Sequence, residues 1–206
     1  MTAVPGRLVG RPPMSARRRD AVRLEIARVA AVRFVEQGVA ATTVEEISSD
    51  AGIAPRTFYR YFGGKEDAVL PLLARGVEAW IHHLAACPPD LGLGASLRQA
   101  VEAAVSEDSE MSPREVRTIQ RLIRHLRTDE GLRVVWLNMH ARCEEMLAVV
   151  VAERLETSPD SLRVRVLAAA ANAAVRVAFE EWADAEPGLP PAGPAVEALA
   201  LIDAAF

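Results

Sequence analysis

A short segment of the chain concentrates side chains that suit a nucleic-acid surface. It contains Arg56, Thr57, Tyr59, Arg60 and Tyr61, and Lys65 follows four residues later. A guanidinium group donates two parallel hydrogen bonds to a guanine edge, whereas Tyr, Thr and Lys side chains suit phosphate oxygens. These residue types together predict contact with double-stranded DNA.

Two short helices joined by a tight turn are expected to position these side chains. Thr42 or Thr43 caps the first of them, and Glu46 stands three residues after Thr43, as in a capping box. The helix ends at Asp50. The run 51–54 then predicts a turn, in which Gly52 adopts a left-handed conformation without a Cβ penalty.

The second helix of the pair is expected to begin at Pro55, which suits the first helical position, and to end near Phe62. Phe58 and Phe62 are four residues apart and therefore face the same side, toward the core. This leaves the polar side chains of the segment outside. Two helices with a Gly-containing turn are typical of the helix-turn-helix, whose second helix enters the major groove.

The segments 43–53 and 56–65 resemble the TetR family of transcriptional regulators, and the match covers about residues 20–70. The resemblance implies a homodimeric repressor with a three-helix DNA-binding unit and a helical body that binds a small effector. It places Thr43, Tyr59, Tyr61 and Lys65 at phosphates, and Arg56 and Thr57 at or near bases. The body resembles a branch known from mycofactocin-linked regulators, which implies an acyl-CoA-like ligand.

Three positions depart from the family pattern. Ala54 stands where Ser or Thr is usual, so that a cap and a phosphate contact are lost. Gly64 replaces a polar cap before Lys65. Arg33 replaces a common leucine, and its aliphatic stem is expected to lie along the core with the charge outside.

The charge distribution supports a nucleic-acid-binding N-terminus on an acidic chain. The net charge of residues 1–65 is +5 and that of the remainder is −9, for a total of −4. We expect residues 1–16 to form a disordered basic arm, residues 17–64 the DNA-binding domain and residues 65–206 the effector-binding and dimerisation domain. Arg18 and Arg19, just after the arm, are expected to contact DNA.

Apolar residues recur at spacings of three and four, and no segment alternates, so the predicted class is all-α. About nine helices are expected, and Asp20 is the predicted N-cap of the first. Their predicted ranges are 20–37, 43–50, 55–62, 65–85, 95–106, 113–127, 131–155, 160–184 and 195–205.

We expect an elongated apolar effector pocket between the helices that start near residues 65, 113 and 131. The candidate lining residues are Trp80, Arg121, His125, Trp136, Met139, His140 and Cys143. Met139 and Cys143 belong to an apolar stripe on the predicted helix 131–155, and most residues of this stripe are expected to pack in the core. The arginine row from Arg114 to Arg127 is either a solvated face or a clamp for an anionic head group.

The helix 160–184 is apolar on nearly all sides, which predicts burial on more than one face. A dimer interface shared with the helix 195–205 accounts for this pattern, with Ala174 and Ala178 in the seam. Asn172 is the polar exception and is a candidate for fixing register.

Other function classes find little support in the sequence. The chain has two cysteines, too few for a disulfide framework or a Cys-based zinc site, and no stretch long enough to span a membrane. It shows no secretory signal, so a cytoplasmic protein is expected. His140 and Glu144 lack a third metal ligand, and no metal or cofactor is expected. The alternatives are a helical enzyme and an architectural DNA-binding protein without an effector.

Overall fold

The computed structural model describes residues 14–106, 112–186 and 191–205. Within these ranges the chain forms nine α-helices and no strand, as the sequence predicted. The helices are α1 (Met14–Gln37), α2 (Val44–Asp50), α3 (Pro55–Tyr59), α4 (Leu70–Ala86), α5 (Leu93–Val105), α6 (Pro113–His125), α7 (Glu130–Arg154), α8 (Leu162–Asp184) and α9 (Ala192–Ala205).

Helix α1 begins earlier than predicted and ends where predicted. Asp20 lies inside the helix, not at its N-cap, because the helix already includes Met14. The predicted arm 1–16 therefore loses residues 14–16 to α1, and residues 1–13 lie outside the described part of the chain. At the other end Gly38 has a φ of +87° and donates its N–H to the Phe34 carbonyl, 3.0 Å away.

Local signals determine the pair α2 and α3. Thr43, not Thr42, is the N-cap of α2, and it forms the full capping box with Glu46. Gly52 has a φ of +65° in the turn, and Pro55 starts α3. Helix α3 ends at Tyr59, three residues earlier than predicted, because the next turn tightens. There the Tyr61 N–H bonds to the Phe58 carbonyl at 2.8 Å.

The predicted fourth helix is divided in two. Glu66–Val69 forms a 3₁₀ turn, and the α-helix starts only at Leu70. Pro71 explains this division, since it has no N–H and is favoured in a first helical turn. The remaining helices match their predicted ranges to within three residues at each end.

The N-terminal helices α1–α3 and the helices that follow them share one hydrophobic core. Ile26 and Phe34 of α1 and Phe58 of α3 belong to the same cluster as Leu122 of α6 and Trp136 of α7. A second cluster joins α4, α5, α7, α8 and α9. The packing is continuous across the predicted boundary at residue 64.

Candidate functional site

Helix α3 presents polar side chains on one face and buries the opposite face. Phe58 is fully buried and Phe62 nearly so, whereas Tyr59 is 57% exposed. Arg56 and Arg60 are exposed and Thr57 is half-buried. The Arg60 guanidinium lies over the Tyr61 ring, 5.3 Å from its centroid, which holds both side chains on this outer face.

The N-termini of α1 and α2 add further candidate contacts. Arg18 and Arg19 are exposed in the second turn of α1. The exposed Thr43 hydroxyl accepts from the Glu46 N–H at 3.2 Å and lies 3.0 Å from the Glu46 carboxylate. Its first role is therefore to cap α2.

Lys65 has a structural role that the sequence did not indicate. Its ammonium group donates to the carbonyls of Val39 and Thr42, at 2.7 and 3.0 Å, and so holds the loop between α1 and α2. An ammonium has three N–H donors, so one is left for a phosphate. The predicted phosphate contact stays a prediction.

The three departures from the family pattern each have a visible local consequence. Ala54 provides no side-chain cap to α3. Beside Gly64, the turn that begins after Lys65 has no side-chain cap, and Asp67 accepts the Gly64 N–H at 3.1 Å. Arg33 keeps its charge outside, as predicted, and joins α1 to α2 by pairing with Asp50 at 2.7 Å and Glu46 at 3.3 Å. The hydrogen bond from Arg33 holds the pKa of Asp50 below its ordinary value.

A cavity of about 560 Å³ lies inside the body, between the helices that were expected to form it. Helices α4, α6 and α7 contribute to its walls, and α5 and α8 complete them. Three of the predicted effector residues, Trp80, Trp136 and His140, line it. The sequence reasoning missed Gly76, Gln120, Phe179 and Trp182, of which the last two lie on the helix that was assigned to dimerisation.

The other four predicted effector residues lie away from this cavity. Met139 and Cys143 face a separate cleft between α1, α4 and α7. Burial raises the pKa of the Cys143 thiol to about 12, so the thiol stays protonated and unreactive. Arg121 and His125 are absent from the lining of either space.

The arginine row on α6 does not converge on the cavity as a clamp. Arg121 donates to the Val35 carbonyl of α1 at 3.3 Å. Arg124 bonds to the Ala183 and Ala185 carbonyls, and Arg127 pairs with Asp184. These side chains connect α6 to its neighbours, and Arg117 is the member of the row that lines the cavity, at its exposed rim.

An ion-pair cluster connects the cavity wall to the DNA-binding unit. Glu115 of α6 accepts from the Arg28 guanidinium of α1 at 2.9 Å and lies 3.6 Å from Arg75 of α4. Glu115 also closes the capping box of α6 with Ser112. Burial would raise the pKa of Glu115, but its hydrogen bonds from Arg28 and Ser112 prevail and lower it. Glu115 is therefore an anion held by three helices.

An apolar outer face runs along α8. It consists of Leu162, Val166, Ala173 and Val177, all exposed, and Leu201 of α9 is exposed as well. Exposed Val134, Leu137, Met146 and Val149 lie on α7. By contrast Ala178, expected in a seam between protomers, is buried in the core of its own chain at 4% exposure. Asn172 likewise pairs within the chain, with His140 at 2.8 Å, so it is not available to fix register between chains.

Two family models match the chain. One is described as bacterial regulatory proteins of the tetR family and matches residues 26–70, and the other, the MftR C-terminal domain, matches residues 95–205. The chain belongs to the TetR family. The described residues contain no helix that is long and apolar enough to cross a membrane, and no cluster of metal-binding side chains.

Individual TetR-family proteins support this assignment. The regulator TcmR of Streptomyces glaucescens is 28% identical over 174 residues, which are 83% of this chain and 77% of TcmR. The repressor KstR2 of Mycobacterium tuberculosis is 42% identical over 57 residues, 28% of either chain. Members of the family are DNA-binding transcriptional regulators, not enzymes.

Solved structures show the same fold. A TetR-family regulator from Rhodococcus sp. superposes with a TM-score of 0.57 at 18% identity, covering 92% of this chain and 98% of that one. Thermus thermophilus FadR, solved with lauroyl-CoA, gives 0.52 at 22% identity, covering 87% and 92%.

Proposed function

We propose that this TetR-family protein is a homodimeric repressor that a small, largely apolar effector releases from a pseudo-palindromic operator. The observation that carries the proposal is the cavity of about 560 Å³, whose wall helix α6 is tied to α1 of the DNA-binding unit through Glu115 and Arg28. One chain thus combines a DNA-reading helix, a space for a ligand and a connection between them.

In the proposed complex α3 lies in the major groove. Arg56 and Thr57 meet base edges, and Arg60, Tyr59 and Tyr61 meet the groove walls and phosphates. Thr43, Lys65, Arg18 and Arg19 add phosphate contacts around the groove. Two copies of α3, about 34–36 Å apart, would read two half-sites in successive grooves.

The second copy packs against the apolar outer face of α8 and α9. The face contains four exposed apolar residues of α8 spaced by four or seven positions, and α9, which packs on α8, carries the exposed Leu201. An exposed apolar patch of this extent is typical of an interaction surface, and a two-fold axis lets the same face pair with itself. This proposal keeps the predicted helices but moves the interface from Ala174 and Ala178, which pack in the core of their own chain, to Ala173 and Val177.

The effector occupies the cavity and displaces α6 relative to α1. FadR, a structural neighbour, was solved with lauroyl-CoA. For this chain an acyl-CoA-like ligand stays a prediction. Arg121, Arg124 and Arg127 already bond to other parts of the protein. Arg117, at the rim of the cavity, is the member of the arginine row that is placed to meet an acidic head group. For a repressor of this kind, the proposed site of action is the cytoplasm.

The proposal is tested with a DNA duplex selected in vitro and a series of apolar ligands that includes lauroyl-CoA, fatty acids and neutral aromatics. At least one ligand should weaken operator binding tenfold or more, which corresponds to about 1.4 kcal/mol of coupling. Gly76→Leu is the matched variant. A Cβ at Gly76 meets nothing within 4 Å, and the added side chain fills part of the cavity.

Gly76→Leu should bind operator and lose the response to ligand. If the ligands bind the protein without changing operator affinity, effector release is wrong. If Gly76→Leu responds to the ligand like the parent, the ligand acts elsewhere.

A further inference from the structure

We propose that the cavity selects an organic acid with a flat apolar body and a hydrogen-bond donor at its far end. The acid pairs with Arg117, and the donor, a hydroxyl or N–H group, bonds to the side-chain oxygen of Gln120. The proposal rests on the proposed function, since it specifies the chemistry of the effector. It follows from two polar groups on one face of α6 that the described residues leave without a partner.

Gln120 offers the cavity an acceptor, because the protein uses its amide nitrogen. This nitrogen donates to the carbonyls of Trp182 at 3.0 Å and Ala185 at 3.2 Å. Two carbonyl groups require the NH₂ end of the amide, so the positions of its nitrogen and oxygen are fixed. Gln120 is 2% exposed and lines the cavity, and none of the described residues donates to its oxygen. A ligand hydroxyl therefore supplies the hydrogen bond that this enclosed acceptor lacks.

Arg117 offers a positive charge at the exposed rim of the same cavity. It stands three residues before Gln120, so the two side chains lie on one face of α6. No described carboxylate pairs with Arg117, and the nearby Glu115 is already held by Arg28 and Arg75. The planar guanidinium group is therefore available, and its parallel N–H donors suit a carboxylate.

Two tryptophan N–H groups of the cavity wall are not available to a ligand. Trp80 Nε1 donates to the Leu97 carbonyl at 3.2 Å. Trp136 Nε1 donates to the carboxylate of Glu180 at 2.8 Å. An acid that enters the cavity therefore gains no hydrogen bond from these two rings, which favours its placement at the rim.

Two further polar side chains of the wall do not replace the Gln120 oxygen as an acceptor. Nε2 of His140 has no partner, but it is fully enclosed by the protein, so a ligand does not reach it. Ser106 is exposed, where water supplies its partners, and its hydroxyl donates to the Ala103 carbonyl at 3.1 Å. The Gln120 oxygen, in contrast to His140 Nε2, keeps accessible surface.

The shape of the wall determines how the two groups of the ligand are arranged. Phe179 and Trp182 meet edge-to-face, with centroids 5.8 Å apart, and such rings favour a flat apolar body between the two polar ends. Gln120 is enclosed and Arg117 is exposed, so the donor enters first and the acid stays at the rim. The two groups therefore belong at opposite ends of the ligand.

The test compares 6-hydroxy-2-naphthoate with two simpler molecules by equilibrium dialysis against the full chain without DNA. The first, 2-naphthol, lacks the acid, and the second, 2-naphthoate, lacks the hydroxyl. The native protein should bind the hydroxy acid about two- to fivefold more tightly than 2-naphthol, as expected for an ion pair at an exposed rim. It should bind the hydroxy acid about two- to tenfold more tightly than 2-naphthoate, as expected for one hydrogen bond.

Three variants assign these preferences to residues. Arg117→Gln should lose the preference for the acid and keep the preference for the hydroxyl. Gln120→Met, similar in length and without the acceptor, should lose the preference for the hydroxyl and keep the preference for the acid. Arg114→Gln is the matched control, since Arg114 is exposed on the same helix outside the cavity lining, and it should keep both preferences.

A measurement on the native protein covers the case in which Gln120→Met does not fold. In protein with ¹³C-labelled glutamine side-chain carbonyls, the Gln120 resonance should shift more with 6-hydroxy-2-naphthoate than with 2-naphthoate. The inference is overturned if the hydroxy acid does not bind, if the three ligands bind equally, if Arg117→Gln keeps the acid preference, or if the Gln120 resonance responds equally to both acids. If both preferences are found and no ligand changes operator affinity, the inference stands and effector release is wrong.

Discussion

At the scale of single residues, the basic side chains of the DNA-binding unit differ in what they already bond to. Arg56 is exposed at the start of α3, ready for an external partner, whereas the Lys65 ammonium bonds to two carbonyls of the α1–α2 loop. The Lys65 ammonium thus stabilises the fold whether or not DNA is bound. His140 is the corresponding case in the body, a titratable group that the protein keeps neutral.

Lys65→Ala should therefore destabilise the protein as well as weaken DNA binding. The loss of two charge-assisted hydrogen bonds is expected to lower the free energy of unfolding by about 1–3 kcal/mol. Urea titration measures this change. The exposed Arg60→Ala is the control and should stay within about 0.5 kcal/mol of the parent. If Lys65→Ala and Arg60→Ala are equally stable, the hydrogen bonds of Lys65 do not stabilise the fold.

The pH dependence of stability should carry the signature of a buried neutral histidine. The pKa of His140 in the folded chain is lower than its ordinary value of 6.5, so the unfolded chain binds the proton more readily. Stability is therefore complete above about pH 6.5 and falls as the pH decreases below it. Urea titrations between pH 5 and 7.5 should show a shallower fall for His140→Gln than for the parent. Parallel curves would show that His140 is not the group responsible.

At the scale of elements, α6 is the helix that we propose to connect the ligand with the DNA-binding unit. It supplies Val116, Gln120 and Ile123 to the cavity wall, and Glu115 to the ion pairs with Arg28 and Arg75. Glu115 and Arg28 form the direct contact between α6 and α1.

Glu115→Gln separates the two roles of this residue. Glutamine keeps a capping box with Ser112 but removes the negative charge between Arg28 and Arg75. Without ligand, the operator affinity of the variant should stay within a factor of about two or three of the parent's. The factor by which the ligand weakens operator binding should be severalfold smaller than in the parent, in which a typical coupling free energy is about 1–3 kcal/mol. Fluorescence anisotropy with labelled operator measures both quantities. Arg98→Gln, which breaks the distant pair with Asp203, is the matched control. Unchanged coupling in Glu115→Gln would exclude this route.

The sequence best predicted the elements whose boundaries depend on residues close together in the chain. The Thr43–Glu46 capping box, Gly52 in the turn and Pro55 at the start of α3 act within a few residues, and each was located from the sequence. The start of α1 was missed because Asp20 is a good N-cap residue, although the two prolines directly before Met14 are a local signal for an earlier start.

Long-range partners were beyond sequence reasoning. Arg121 bonds to Val35, 86 residues away, and an arginine stripe alone does not reveal such carbonyl acceptors. Helix α7 buries residues on several sides, so periodicity did not separate Trp136 and His140, which face the cavity, from Met139 and Cys143, which face another cleft. The orientation of a nearly all-buried helix depends on the packing of its neighbours.

At the scale of the whole molecule, the proposed repressor consists of two copies joined through the apolar outer face. Val177 is 53% exposed in the single chain, and its neighbour Ala178 is 4% exposed. Substitution at Val177 therefore tests the contact between two chains, whereas substitution at Ala178 tests the core of each chain.

Val177→Glu should give a folded monomer, and Ala178→Glu should unfold or strongly destabilise the chain. A charge at Val177 is solvated in the monomer and becomes costly only when a second copy covers it, whereas at Ala178 it is buried at once. Sedimentation measures the association state, and circular dichroism with thermal melting measures the fold. A Val177→Glu protein that remains dimeric would place the interface elsewhere.

The most direct test of the central claim is selection of duplexes from a random DNA pool with the purified protein. The account predicts enrichment of an inverted repeat whose half-sites are centred about 10–10.5 base pairs apart or a multiple of that spacing. Arg56→Ala should bind the enriched duplex more weakly by about 1–3 kcal/mol and tolerate substitution at one base pair in each half-site. A pool without enrichment, or a site that Arg56→Ala binds like the parent, would contradict the account.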